Sequence, residues 1–326
     1  MICNYQLPVL FLSFFLFLSC QDINNNKPSS ASREGEVLVI VPDALWEGQV
    51  GDSLRQILAQ PVTGLSSYEP LYKVIQIERS ELGNTLKLYR NVLIIHNNDN
   101  GHLDKPLTAQ FDKWAKPQIV LNLYGISNES LLKNIAKYGK TITSYYSKEE
   151  LKRKTRSYKN LADKRIQSKL NELFNLNVTI PKGYKWSFNN DEIAWIRNET
   201  NKTGQSIIIY KQAVPEEEIT PRFIIDSRNA FSKKYIPGSE EGSYMKTAGE
   251  EFLVFDQVKL AGIDAIRTKG LWDVAGDYMG GPFISYTFQH QDQLITIEGF
   301  VYAPGKSKYA YVKQLNAIIN TLELRP

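Results

Sequence analysis

From Glu36 to about Lys140, unbroken apolar runs alternate with stretches of helical period. Val37-Leu-Val-Ile-Val41 is a continuous apolar run of the kind buried on both faces of a sheet. The spacing after it predicts a helix over 51–58, with Asp52 or Ser53 as N-cap. Strands follow over 72–77, 91–95 and 118–123, with helices expected over 107–114 and 128–138. Strand and helix in alternation predict an α/β layered domain over 35–146.

Residues 147–176 have a different texture. Leu151, Tyr158, Leu161, Ile166, Leu170, Leu173 and Phe174 recur on one helical face. Between Lys148 and Glu172 there are nine Lys or Arg against four Asp or Glu. One long connecting helix accounts for both features; a basic face for phosphate or lipid, or a subunit interface, is the alternative. After Asn177 the period shortens to two. Apolar runs at 180–188, 192–197, 205–210, 251–258, 263–271, 282–289 and 294–303 are separated by Asn- and Gly-containing turns. Helical spacing returns at 220–235 and 306–324, so 177–326 predicts an antiparallel sheet covered by helices. The fold class expected for the whole chain is α+β.

The first residues change the picture. Leu7 to Leu18 is almost wholly apolar, and a helix of twelve residues is only about 18 Å long, too short to cross a hydrocarbon core of about 30 Å. It suits the apolar core of a secretory signal, although Met1 to Leu7 lack the usual positive charge. Leu18-Ser19-Cys20 resembles a bacterial lipobox, which implies cleavage of residues 1–19 and acylation of Cys20. The polar run over 20–34 then predicts a flexible tether. The other cysteine, Cys3, lies within the signal, so the mature chain keeps no thiol for disulfides, thiolate zinc sites or nucleophilic catalysis. A net charge of +4 is short of what nucleic-acid binding calls for.

Candidate chemistry is sparse. His96, Asp99 and His102 lie in or beside an Asn-rich turn at the end of a predicted strand, an edge where open α/β sheets bind ligands. The turn fails as a calcium loop, whose twelfth position would be Leu107. No zinc spacing accompanies it. Gly270 to Phe283 reads as a loop bearing Trp272, Asp273, Asp277 and Phe283, with Gly280-Gly281-Pro282 supplying positive φ and a rigid strand entry. These seven residues are the candidate ligand contacts. No nucleophile elbow, phosphate loop or dinucleotide fingerprint occurs, so no catalytic residue, metal or cofactor is assigned.

Gly35 to Val41 with Trp46, Glu69-Pro70, Arg90-Asn-Val92, Gly270-Leu-Trp272, Met279 to Phe283 and Gly299 to Pro304 together resemble a family of Bacteroidota lipoproteins built on domains of unknown function. The region from Ile180-Pro-Lys-Gly-Tyr184 to the closing helix at 311–322 faintly resembles the photosystem PsbP and Ran-binding Mog1 proteins in fold. The resemblance implies a lipid-anchored envelope protein, in the outer membrane and facing the periplasm, that binds or scaffolds. Its expected partners are the membrane, another envelope protein or a cell-wall component, and not nucleic acid. An envelope hydrolase of glycan or peptide is the open alternative, with Asp273 and Asp277, or His96 and Asp99, as its acid–base pair.

Overall fold

The computed structural model describes residues 27–98 and 104–324. The signal segment, Cys20, Asp99 and His102 therefore lie outside the described residues. The fold is α+β, built on two main sheets.

In the first sheet β1 (Glu36–Ile40), β2 (Lys73–Ile77), β3 (Asn91–Asn97), β4 (Leu107–Phe111) and β5 (Ile119–Gly125) lie in the order β2-β1-β3-β5-β4. All pair in parallel except β4, which runs antiparallel to β5. The helices α1 (Asp43–Trp46), α2 (Gln49–Leu58) and α3 (Asn128–Lys159) accompany it. One face carries Val37, Val39, Leu93 and Leu121 into a core closed by Leu54 and Leu58 of α2 and Leu131, Ile135 and Tyr146 of α3. The other face, with Leu38, Val92 and Val120, is covered by Leu82, Leu86, Tyr89 and Trp114 from connecting segments. Burial on both faces is why β1 reads as an unbroken apolar run.

The second sheet follows α4 (Lys164–Phe174) and the short β6 (Leu176–Asn177). Its strands are β7 (Lys185–Asn189), β8 (Ile193–Glu199), β9 (Gly204–Ala213), β10 (Tyr244–Thr247), β11 (Val254–Leu260), β12 (Ile263–Ala275), β13 (Asp277–His290) and β14 (Gln293–Tyr302). They run in the order β10-β12-β13-β14-β9-β8-β7, with β11 also on β12, and every pairing is antiparallel. The helix α5 (Pro221–Tyr235) lies on one face and α6 (Tyr309–Ile319) on the other, before β15 (Glu323–Leu324) closes onto β6. On the α6 side Ile207, Ile209, Tyr286 and Ile297 meet Leu315, Ile318 and Ile319, and α4 adds Leu170 and Phe174.

Four expectations are corrected. The helix expected over 107–114 is the strand β4: Leu107 and Ala109 turn to the core while Thr108 and Gln110 turn away, a period of two. The helix over 51–58 begins earlier, at Gln49, with Gly48 as N-cap and no side-chain cap. The single connecting helix over 147–176 is broken. Its first part is the end of α3, capped at Asn160; Asp163 then accepts from the Arg165 and Ile166 amides and starts α4. The tether is shorter than expected, because 27–34 is seated on the fold. Ser29 bridges to Lys116, the Ala31 amide donates to Leu88, Ser32 Oγ accepts from Arg90, and Glu34 pairs with Lys154 and Lys313.

Glu69 joins the two sheets. The N-terminus of α6 has no cap of its own; instead the Glu69 carboxylate accepts from the amides of Lys308 at 2.7 Å and Tyr309 at 3.0 Å, and from Ser307 Oγ. Burial pushes the Glu69 carboxyl up, but these donors outweigh it and hold its pKa below the usual value. A depressed pKa contributes stability that is complete above the ordinary carboxylate range and is lost as pH falls through the folded value. Glu69→Gln should therefore cost about 1 kcal/mol at neutral pH, the usual worth of a cap. In urea unfolding the gap between variant and parent should close as pH is lowered from 6 towards 3. A gap that persists at low pH would show that the carboxylate charge is not what caps α6.

Candidate functional site

The site is a groove of about 670 Å³ on the α5 face of the second sheet, beyond the C-terminal end of α5. That volume falls within the range of small-molecule sites. Its floor comes from side chains on one face of three strands of the sheet: Trp195 on β8, Trp272 and Val274 on β12, Phe300 and Tyr302 on β14. Strand alternation sends these side chains to one face. The rim is Ile236 to Ser239, directly after α5, with Met245 and Met279 beside it. Arg197, Glu199 and Lys202 are the charged groups on the wall.

Trp272 is fixed by a hydrogen bond from its indole N–H to the Val301 carbonyl at 3.2 Å, and by edge contact with the Phe300 ring at 5.5 Å. Gly281 makes room for it. A Cβ at Gly281 would lie 2.0 Å from the Val301 oxygen and 3.2 Å from Trp272 Nε1. Gly280 and Gly281 thus serve close approach, not positive φ, which corrects the sequence reading. The expected loop over 270–283 is a hairpin: β12 continues to Ala275, and Gly276, at φ 87°, turns the chain into β13. Trp195 carries the Arg197 guanidinium 4.9 Å above its ring, and Arg197 pairs with Glu199. The Trp195 indole N–H is buried and has no hydrogen-bond partner among the described residues.

Behind the groove a buried ion pair pins α5 to the sheet. Arg228 Nε donates to Glu298 Oε2 at 2.8 Å and its Nη2 to Oε1 at 2.7 Å. Nη1 donates to Thr247 Oγ1 at 3.0 Å, and the guanidinium lies 4.0 Å from the Phe283 ring centroid. Thr247 is held in turn by Asn229. Because α5 is fixed in this way, the rim at Ile236 to Ser239 has a defined position over the floor.

Of the sequence candidates, Trp272 is in the groove and Phe283 is beneath Arg228. Asp273 pairs with Lys246 at 3.7 Å. Asp277 accepts from Ser239 Oγ and its neighbour's amide, and these donors lower its pKa. Neither aspartate lines the groove, so the hairpin does not bring them together across a cleft. His96 belongs to the first sheet, where its Nε2 shares a hydrogen bond with Asn122 Oδ1 at 3.1 Å and its ring stacks on Tyr124 at 4.4 Å. Sequence reasoning missed Arg228 and Glu298. Their signal was present: each charge interrupts an apolar face, Arg228 after Ile224 and Ile225, Glu298 between Thr296 and Phe300.

The fold is α+β, with an aromatic-floored groove on its second sheet. Residues 163–321 match the family described as Domain of unknown function (DUF4837), and residues 30–159 match Domain of unknown function (DUF8532). No curated protein matches the chain. Among solved structures it is similar to LpqN, involved in cell envelope biogenesis of Mycobacterium tuberculosis, at 13% identity and a TM-score of 0.29, covering 46% of this chain and 83% of that one. The Saccharomyces cerevisiae Ran-binding protein Mog1p is similar at 11% identity and a TM-score of 0.31, covering 47% and 92% of the two chains. A Bacteroides thetaiotaomicron structure is similar at 15% identity and a TM-score of 0.25, covering 46% and 45%.

Proposed function

We propose that this chain is a cell-envelope lipoprotein of the Bacteroidota type, anchored through Cys20 in the outer membrane and facing the periplasm, and that it works by binding. The groove takes the flat, apolar part of an envelope component. One observation carries the binding reading: the groove is floored by the aromatic side chains of Trp195, Trp272, Phe300 and Tyr302. A ligand that lays apolar surface against Trp272 and Phe300 buries its own apolar area there. Arg197 and Lys202 at the wall favour an anionic or polar end on the same ligand.

The apolar fluorophore N-phenylnaphthylamine serves as a probe. Its emission should rise on titration with the parent chain, and Met279→Trp, which fills the groove, should weaken binding about tenfold or more, equivalent to about 1.4 kcal/mol. Equal binding by parent and variant, with both folded, would contradict the groove as the binding site.

A further inference from the structure

Helix α3 buries one side and leaves the other to solvent. Leu131, Ile135, Ile142 and Tyr146 pack into the core of the first sheet. On the opposite side Lys137, Lys140, Lys148, Lys152, Arg156 and Lys159 are all exposed and follow one another at helical spacing. Solvated helix faces normally intersperse the two signs. Here Ser130 to Lys148 holds four lysines and no acid. Lys152 and Lys159 have acidic neighbours in Glu149 and Glu323. Lys137, Lys140, Lys148 and Arg156 have no salt-bridge partner among the described residues. Tyr145, 36% exposed, stands on the same side, and the Lys137 ammonium lies 5.0 Å from the Tyr138 ring. Tyrosines beside lysines are the composition of a membrane–water boundary.

Two further features identify what covers this face. A helix of 32 residues offers an edge of about 48 Å to a surface. The chain also enters beside it, since Ser29 and Ser30 share a recess with Arg153, Lys154 and Ser157 of α3. From Cys20 to Lys27 the chain can extend at most about 25 Å, more than the roughly 10–12 Å width of a helix. An acylated Cys20 therefore brings the bilayer within reach of the basic face.

We infer that the exposed face of α3 is a second membrane contact, a basic stripe that lies on the anionic phospholipid headgroups of the leaflet holding the anchor. Its placement rests on the anchoring proposed above; its chemistry does not. Near an anionic surface each Lys or Arg contributes about fivefold in affinity, so four together contribute several hundredfold.

The test uses the mature chain, residues 20–326, produced without residues 1–19 and carrying Cys20→Ser, which removes both the apolar signal and the lipid anchor. It is sedimented with vesicles of phosphatidylglycerol and phosphatidylcholine in equal parts, and with phosphatidylcholine alone. The expected result is binding to the first and not the second, with release at high salt. Adding Lys137→Glu, Lys140→Glu, Lys148→Glu and Arg156→Glu should weaken binding at least a hundredfold. Reversing the exposed Lys164, Lys182, Lys185 and Lys306 instead should change it about twofold or less. No binding to anionic vesicles, an inert stripe, or equal losses from both sets would overturn the inference. Anchoring fails separately: vesicle binding by α3 together with a bare Cys20 thiol in the native chain would remove the anchor and leave this contact standing.

Discussion

Glu298→Ala is expected to lower the free energy of unfolding by about 3–5 kcal/mol, the usual cost of removing one partner from a buried ion pair. The size follows from what remains behind. Arg228 is 1% exposed and Glu298 0%, so the guanidinium would stay out of water with Thr247 Oγ1 and the Met245 sulfur as its remaining partners. Neither carries a charge. The Phe283 ring face offsets a small part of that loss. A pair replaced as a unit behaves differently: Arg228→Met with Glu298→Met should recover most of the stability, since well-packed apolar residues often equal a buried ion pair. Urea unfolding of the two single variants and the double variant measures the coupling directly. A loss below about 1 kcal/mol in Glu298→Ala would show that water reaches the pair. Because α5 carries the groove rim, the single variant should also bind N-phenylnaphthylamine more weakly than the double variant does.

What could be read from the chain depended on whether a local pattern determined the outcome. Val37 to Val41 and the helix over 220–235 are decided by periodicity, and they fold as read. The residues at 107–111 were ambiguous because five residues barely distinguish a period of two from one of 3.6; pairing with β5 settled them as strand. Seating of 27–34 depends on Lys116, Leu88 and Arg90, which are distant in sequence, so its polar composition alone read as tether. The groove was half legible. Trp272 stood out as an aromatic in a glycine-rich stretch, but Trp195, Phe300 and Tyr302 join it only through strand register. Arg228 and Glu298 lie 70 residues apart, and their partnership is a property of α5 crossing β14 that no local spacing encodes.

Cys20→Ser, in a chain whose signal is replaced by one cleaved independently of Cys20, should produce the other large effect, near-complete release of the chain from membranes at high salt. Each buried methylene of an acyl chain contributes about 0.8 kcal/mol, and a single chain anchors only marginally whereas two or more hold stably. A diacylglyceryl thioether with an N-acyl group therefore shifts partitioning by many powers of ten. No described helix is long and apolar enough to cross a membrane, so no described helix could take over as a membrane-spanning anchor in the variant. Fractionation of cells expressing parent and variant, washed at high salt to remove electrostatic contacts, measures the difference.

The most direct measurement is the intact mass of the chain isolated from its own envelope. The account predicts a polypeptide that begins at residue 20 and carries a diacylglyceryl group on sulfur and an acyl group on nitrogen. A full-length chain of 326 residues, or one that retains a bare thiol at Cys20, would contradict it.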